Sequence, residues 1–172
     1  MNAAFAVIPV LLIRYGLLAL VNRGALKRAA HFAPLIGREK AAYWVYQIST
    51  LAMLVYLFFL RIEPGSALFT SGLVMYALGL ILYAVSTVHF ARPGADGVNR
   101  KGLYKFSRNP MYAAYFIVFL GCAALTSSWI FLALLTVFQV SAHFIIRAEE
   151  RWCLRQFGDA YASYMQEVRR YI

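Results

Sequence analysis

Two polar segments of this sequence carry residue types that could hold a charged ligand. The first is GLYKFSRNPMY, from Gly102 to Tyr112, which runs through a proline into an apolar stretch. Ser107 or Asn109 is expected to cap a helix that begins at Pro110, because Ser and Asn favour the cap position and proline favours the first turn. The free N–H groups of a helix start suit a carboxylate or a phosphate. The alternative is a capped interfacial helix whose aromatic residues only mark the membrane edge.

The second segment is a polar stripe in an otherwise apolar stretch. Gln139, His143, Arg147 and Glu150 follow one another at spacings of four, four and three residues, which predicts one face of a helix. Buried polar groups are costly in hydrocarbon, so the stripe is predicted to face the protein interior, with Glu150 beside Arg147. Glu149 is rotated by about 100° and is predicted to face the cytoplasmic mouth. The alternative for Arg147 and Glu150 is a purely structural ion pair, which leaves His143 and Gln139 unexplained.

The elements that must position these residues are membrane helices. Of the 172 residues, 62% are hydrophobic and only 14% are charged, and the mean hydropathy is +0.64. A single crossing takes about 20 apolar residues. Four apolar blocks are long enough to cross: Ala3 to Val21, Ala41 to Leu60, Ala67 to Phe90, and Met111 to Ile146. The last block is broken at LTSSW and predicts a hairpin of two short helices. The sequence therefore predicts an all-α membrane protein with five transmembrane helices, including a short C-terminal hairpin, and a cytoplasmic helical tail.

The distribution of charge predicts the orientation of these helices. The net charge is +10, and all of the 17 Lys and Arg residues except Arg14 and Arg61 fall in the first loop, the third loop and the tail. The positive-inside rule then places the N-terminus outside and the tail in the cytoplasm, and it accounts for the charge without nucleic acid. Arg14, in the middle of the first block, is expected to face a partner, in either a structural or a substrate contact. His89, at the end of the third block, is expected to be interfacial or catalytic.

The tail contains a helix-breaking signal and two features that bear on the site. QFGDAY predicts a helix stop at Gly158 and a restart capped by Asp159. Residues 160–168 are expected either to pack back over the site or to lie on the membrane surface. The two cysteines, Cys122 and Cys153, predict neither a disulfide framework nor a metal site.

Both polar segments resemble a known family. GLYKFSRNPMY resembles the Gly-x-Tyr…Arg-His-Pro-x-Tyr motif of the isoprenylcysteine carboxyl methyltransferase and phospholipid methyltransferase superfamily, and EERWCLRQFGDAYASYMQEVRRYI resembles its Glu-Glu-x-x-Leu…Phe-Gly-x-x-Tyr-x-x-Tyr ending. The resemblance implies a membrane-embedded methyltransferase that uses S-adenosylmethionine on the cytoplasmic side. The motif positions that it implies are Gly102, Tyr104, Arg108, Asn109, Pro110, Tyr112, Glu149, Glu150, Phe157, Gly158, Tyr161 and Tyr164, and all of them except Gly158 are expected to bind the cofactor.

The resemblance also leads to expectations about the reaction. The residues expected to take part in the transfer are Arg108, Glu150, His143 and Arg147. Asn109 stands where the family more often has histidine, and it cannot act as a general base because an amide does not titrate near neutral pH. The acceptor is expected to be a lipid or a lipidated small molecule or peptide that enters from the bilayer. A carboxylate or thiolate acceptor needs no base, whereas an amine must lose a proton, with His143, His89 or Glu150 as candidates.

Other functions remain open at this point. The expected activity is methyl transfer like that of isoprenylcysteine carboxyl methyltransferase, and phospholipid amine N-methylation is the first alternative. The tail also resembles the C-terminus of NADPH-dependent membrane sterol reductases, and a non-enzymatic membrane protein is the third alternative. The chain is predicted to form a single membrane-embedded domain over residues 1–172, with a three-span part over 1–97 and a cofactor-binding part over 98–172.

Overall fold

The computed structural model describes residues 1–171, and all regular secondary structure in that range is helical, which confirms the all-α prediction. The helices are α1 (Ala3–Val21), α2 (Arg23–Ala30), α3 (Arg38–Leu57), α4 (Phe69–Phe90), α5 (Pro110–Leu125) and α6 (Trp129–Glu167). A 3-10 turn, Gly102–Lys105, lies just before α5. Helix α2 is short and polar, and the apolar pattern did not predict it.

Three of these helices, α1, α4 and α6, are long and apolar enough to cross a membrane. Helix α5 is apolar but has only 16 residues. Helix α3 has 20 residues and begins at Arg38 rather than Ala41, since the charged residues before the apolar block continue the helix. The break between α5 and α6 falls at Thr126–Ser128, within the LTSSW segment that predicted it. The count of five spans remains a prediction.

The short connections meet at one end of the bundle. The backbone N–H of Ala3 donates to Leu60 O (3.0 Å), and that of Ile62 donates to Met1 O (2.9 Å). The N–H of Glu63 donates to Leu125 O (3.0 Å), which ties the connection after α3 to the end of α5. The long loop before α5 therefore lies at the opposite end, together with the tail. Which end faces the cytoplasm is a prediction from charge.

Helices α4 and α5 pack with very close backbones. A Cβ added at Gly79 would lie 2.6 Å from Val118 N, and one added at Gly121 would lie 2.5 Å from Tyr76 N. Small residues allow this approach, and the resulting van der Waals contacts drive helix association in membranes, where lipid is as apolar as the interface. The pair α4–α5 thus forms a firm support for the loop that joins the two helices.

Large side chains fill the space between α3, α5 and α6. Met53 and Leu57 of α3 pack against Phe131 and Phe138 of α6, and all four are buried. The rings of Tyr46 and Phe138 stack at a centroid distance of 5.0 Å. This packing holds the apolar half of α6 in place, so its polar half beyond residue 146 is presented to the loop and the tail.

Candidate active site

The loop before α5 is folded onto the end of α4. Gly102 has φ +58°, and an added Cβ would collide with the His89 ring, so a side chain is excluded on two grounds. Tyr104 is buried, and its carbonyl accepts a hydrogen bond of 2.7 Å from the hydroxyl of Tyr164 in the tail. The loop is thus fixed between α4 and the tail.

Helix α5 begins at Pro110, as predicted, but the predicted cap hydrogen bond is absent in the described chain. Asn109 occupies the cap position without accepting a side-chain hydrogen bond from the first turn. Its amide Nδ2 instead donates to Arg170 O (3.1 Å), and its backbone N–H donates to Ser107 Oγ (3.1 Å). Asn109 is therefore one of the two residues predicted for the cap position, and its amide nitrogen binds the returning tail.

The end of α6 packs back over this loop, which is one of the two arrangements predicted for residues 160–168. Gly158 has φ +50° and ψ −129°, which is not a helical conformation, so α6 consists of two helical segments that meet in a kink at the predicted stop, and the second segment ends at Glu167. Beyond the bend, Tyr161 and Tyr164 pack against Val98. The backbone N–H of Arg108 donates to Arg169 O (2.9 Å), and this hydrogen bond attaches the tail directly to the predicted motif.

Glu150 is held between two arginines. Its Oε1 lies 3.0 Å from Arg108 Nη2, and its Oε2 lies 2.8 Å from Arg170 Nη2. Only 4% of the Glu150 side chain and 8% of the Arg108 side chain are exposed. A buried carboxylate requires such partners, because desolvation of an unpaired charge is costly.

The predicted pairing of Glu150 with Arg147 was wrong. Arg147 is exposed, whereas Glu150 is buried. Three residues of an α-helix correspond to about 300°, so Arg147 is rotated by about 60° from Glu150 and leaves the buried face. His143 is also engaged by a different residue, since its Nδ1 lies 2.7 Å from the hydroxyl of Tyr171.

Glu149 lies on the other side of the same turn. Its Oε1 accepts a hydrogen bond of 3.1 Å from the hydroxyl of Tyr112, in α5. The carboxylate faces the part of the bundle that also contains Tyr46 and Arg14. The predicted orientations of the two glutamates are therefore exchanged: Glu150 faces the loop and tail, and Glu149 faces the bundle interior.

A cavity of about 740 Å³ joins these features. This volume lies within the usual range of small-molecule sites. The predicted cofactor-binding residues that line it are Tyr104, Arg108, Asn109, Tyr112, Glu149, Glu150, Phe157, Tyr161 and Tyr164. The predicted site residues that do not line it are Gly102, Pro110, Gly158, His143 and Arg147. His89 also lies outside the cavity.

Several cavity residues were not predicted. Asn99, Trp152, Tyr46 and His31 line the cavity, and the rings of His31 and Trp152 lie 5.2 Å apart. Trp152 follows Glu149 by three residues, so its helical spacing could have placed it on the same face. No comparable signal exists for His31 or Tyr46, since the first spans contribute only hydrophobicity to the sequence pattern.

The loop end of the cavity contains buried polar atoms with unmet hydrogen-bonding capacity. Within residues 1–171, Asn99 Oδ1, Arg108 Nε and Glu150 Oε1 have no hydrogen-bond partner, although Glu150 Oε1 is ion-paired. Unsatisfied buried groups of this kind are uncommon in folded proteins and require an explanation. Across the described chain, no group of three or more His, Cys, Asp or Glu residues is close enough together to hold a metal ion. The open donors and acceptors of Asn99, Arg108 and Glu150 suit an organic ligand with charged and hydrogen-bonding groups.

Residues 65–160 match the family model of the phospholipid methyltransferases. The chain belongs to this family. The matched range contains α4, the loop, α5 and α6 up to its bend, and it includes both Arg108 and the two glutamates. Membership of the phospholipid methyltransferase family confirms the predicted superfamily and indicates membrane methyltransferase activity. No curated protein matches the sequence.

Proposed function

We propose that the protein transfers a methyl group from S-adenosylmethionine to a lipid or a lipidated, apolar acceptor at the cytoplasmic membrane interface. The observation that carries the proposal is the single cavity with two different ends. One end has Arg108, Glu150 and Asn99, and the other has the apolar residues Val10 and Phe119. A polar donor and an apolar acceptor could then meet inside one cavity.

The loop end of the cavity fits the chemical groups of S-adenosylmethionine. Arg108 Nε is an unused donor that suits a carboxylate, and Asn99 Oδ1 is an unused acceptor that suits an ammonium group or a ribose hydroxyl. Phe157 and Tyr161 offer aromatic faces, which attract both an adenine ring and a cationic sulfonium. The proposed cofactor-binding residues are those predicted positions that line the cavity other than Glu149, with Asn99 and Trp152 added.

The protein's own residues in this proposal bind, orient and exclude water. When bound, S-adenosylmethionine supplies an electrophilic methyl group on a positively charged sulfur. The Glu150 ion pairs fix Arg108 at the loop, and the hydrogen bond from Tyr112 orients the Glu149 carboxylate toward the interior. Tyr161 and Tyr164 cover the loop end and limit the entry of water, which favours reaction between oppositely charged groups. We leave His143 and Arg147 out of the proposed site, because neither lines the cavity.

Methylation of a phospholipid amine is the second candidate function, and Glu149 favours it. An amine acceptor must give up a proton, and Glu149 is a carboxylate that lines the interior of the cavity without an ion pair. Glu150, one of the bases expected from sequence, is occupied by two arginines. The family description agrees with a phospholipid acceptor. A carboxylate acceptor would need no base, so the role of Glu149 separates the two candidates.

The test of the proposed function is a binding and transfer measurement on the purified protein in detergent. S-adenosylhomocysteine and NADPH are titrated calorimetrically, and transfer of a labelled methyl group into total membrane lipid is followed by extraction. We expect binding of S-adenosylhomocysteine and label in the lipid phase. Binding of NADPH alone would support a reductase, and binding of neither ligand would point to a non-enzymatic protein; either result would contradict the proposal.

A further inference from the structure

Arg14 is a charged residue in the middle of a membrane helix. It lies within α1, a candidate span, and it lines the cavity. Its Nη2 donates to Ala29 O (2.7 Å), a carbonyl at the end of α2. The side chain also lies beside the phenols of Tyr83 and Tyr115. All of these partners are formally neutral.

The charge of Arg14 is not compensated by an ion pair within the described chain. The salt bridges of residues 1–171 involve Arg100, Arg108, Arg151 and Arg170. The acid on the same side of the cavity is Glu149, which is hydrogen-bonded to Tyr112. An arginine at the centre of a span is costly to insert into hydrocarbon, so one without an ion pair is expected to have a function.

The backbone around Arg14 is also unusual. Residues Leu12–Leu17 form a π-helical segment within the otherwise helical α1. A π-helical turn is wider than an α-helical turn, is rare, and occurs frequently at functional sites. This second, independent observation coincides with the charged residue.

The cavity opens at the surface of the bundle next to Arg14. Leu11 and Tyr15 line the cavity and are also exposed on the outside of α1. Thr50 and Leu54 of α3 line the facing wall. Because this face of α1 is in the candidate span, the opening leads into the hydrocarbon region and suits an acyl or isoprenoid chain.

From these observations we propose that Arg14 binds the anionic group of the methyl acceptor, a carboxylate or a phosphate, while the apolar chain of the acceptor leaves between α1 and α3. This inference rests on the proposed function, since it names the class of acceptor for the same cavity. The guanidinium fork presents paired N–H donors that match carboxylate and phosphate oxygens. The hydrogen bond to Ala29 O uses one donor and holds the fork in place, so the others remain for the acceptor.

The experiment compares three single-chain amphiphiles on the purified protein in neutral detergent. The probes are oleate, which has a carboxylate, lysophosphatidylethanolamine, which has a phosphate, and monoolein, which has no charge. Equilibrium binding is measured for the wild type, for Arg14→Gln, and for the control Lys27→Gln, which removes an exposed positive charge from the rim of the same cavity. We expect Arg14→Gln to weaken binding of at least one anionic probe roughly tenfold to a hundredfold, as for loss of a charge-assisted hydrogen bond, while monoolein changes little and Lys27→Gln resembles the wild type.

The outcomes show whether the bound group is a carboxylate or a phosphate, and they also show whether the inference about Arg14 fails. An effect confined to oleate identifies a carboxylate acceptor, and an effect confined to the lysophospholipid identifies a phosphate. The inference is overturned if Arg14→Gln binds both anionic probes as the wild type does, or if Lys27→Gln loses as much affinity. If Arg14→Gln does not fold, binding by the wild type alone provides the test. The wild type must then bind one anionic probe more tightly than monoolein, and equal binding of all three probes overturns the inference.

A parallel titration with S-adenosylhomocysteine keeps this test distinct from that of the proposed function. Arg14 lies away from the loop end of the cavity, so the variant is expected to bind this ligand like the wild type. Normal S-adenosylhomocysteine binding together with unchanged oleate and lysophospholipid binding would reject the role of Arg14 and leave the methyltransferase proposal intact. A wild type that does not bind S-adenosylhomocysteine would reject the proposed function itself.

Discussion

Two nitrogens of Arg170 contact the same carboxylate oxygen of Glu150, Oε2: Nε lies at 2.9 Å and Nη2 at 2.8 Å. The two residues are 20 positions apart, and the bend at Gly158 brings them together. Because Glu150 Oε1 also faces Arg108, one carboxylate connects the loop, α6 and the tail. The site is therefore assembled from three separate segments through a single buried charge.

We expect Glu150→Gln to destabilise the fold. The substitution leaves Arg108 buried without its counter-charge, and breaking a buried pair costs about 3 kcal/mol, near the lower end of the usual range because Gln retains hydrogen bonding. For a chain of this size, the loss corresponds to a fall in Tm of roughly 6–12 °C. Thermal unfolding in detergent measures it. Glu167→Gln, an exposed residue of the same helix, is the control and should melt like the wild type.

Glu149→Gln should behave differently, because Glu149 has one neutral partner. If the acceptor is an amine, the loss of this base lowers turnover about a hundredfold or more, while Tm and S-adenosylhomocysteine affinity change little. If the acceptor is a carboxylate, turnover stays near that of the wild type. Single-turnover transfer to phosphatidylethanolamine and to a prenylated cysteine carboxylate distinguishes these cases. A fall in cofactor affinity without a fall in transfer rate would contradict the position of Glu149 in the bundle interior.

Arg108→Ala should weaken S-adenosylhomocysteine binding. Arg108 lines the cavity, its Nε is unused, and its remaining nitrogens are held by Met165 O and Glu150. Removal of one charge-assisted contact lowers affinity about tenfold to a hundredfold. Isothermal titration measures the change, and Lys105→Ala, exposed in the same loop, serves as the control. Unchanged affinity in a variant that still folds would remove Arg108 from the cofactor site.

The sequence predicted those parts of the site that depend on local signals. Pro110 marks the start of α5, LTSSW marks the turn before α6, and Gly158 marks the bend. The loop and the glutamate pair were placed together because both belong to family motifs. These signals act within a few residues and do not require knowledge of how the helices are rotated.

What the sequence could not predict depends on long-range packing. The partner of Glu150 is decided by how far α6 rotates, and a difference of about 60° separates Arg147 from the buried face. Arg170 reaches Glu150 only because the tail turns back along the loop. Helix α2 carries no apolar block, and the π-helical turn at Arg14 leaves no mark in hydropathy, so neither was expected.

Helix α3 is attached to α6 by an ion pair that makes stability depend on pH. Arg151 Nη1 and Nη2 donate to Glu39 Oε1 and Oε2 at 2.7 and 2.6 Å. These hydrogen bonds lower the pKa of the Glu39 carboxyl below its ordinary value of 4.5. A lowered pKa in the folded state contributes stability above pH 4.5, and the contribution disappears as the pH falls through the folded-state value.

The corresponding measurement is Tm against pH for the wild type and Glu39→Gln. We expect the wild type to melt higher at pH 7 and the two curves to converge in the acidic range below pH 4.5. Glu63→Gln, at the opposite end of the bundle, should parallel the wild type throughout. A difference between wild type and Glu39→Gln that persists undiminished into that acidic range would show that the charge of Glu39 is not responsible.

The orientation in the membrane is testable with two exposed small residues. Gly65 lies in the connection after α3, and Ala95 lies in the loop before α5. We expect Gly65→Cys to react with an impermeant thiol reagent in intact cells and Ala95→Cys to react only after lysis, since the positive loops are predicted to be cytoplasmic. A background without Cys122 and Cys153 removes competing thiols. The reverse pattern of labelling would invert the predicted topology.

The close contact of α4 with α5 also has a consequence for motion. Gly79 and Gly121 leave no room for the two backbones to slide, because any shift would bring main-chain atoms into collision. Opening of the site must therefore come from elements that are held by side chains, such as the tail over the loop. We expect amide hydrogens of α4 and α5 to exchange slowest and those beyond the bend at Gly158 to exchange early. Access to the cavity would then be controlled by local opening of the segment beyond Gly158, while α4 and α5 stay in place.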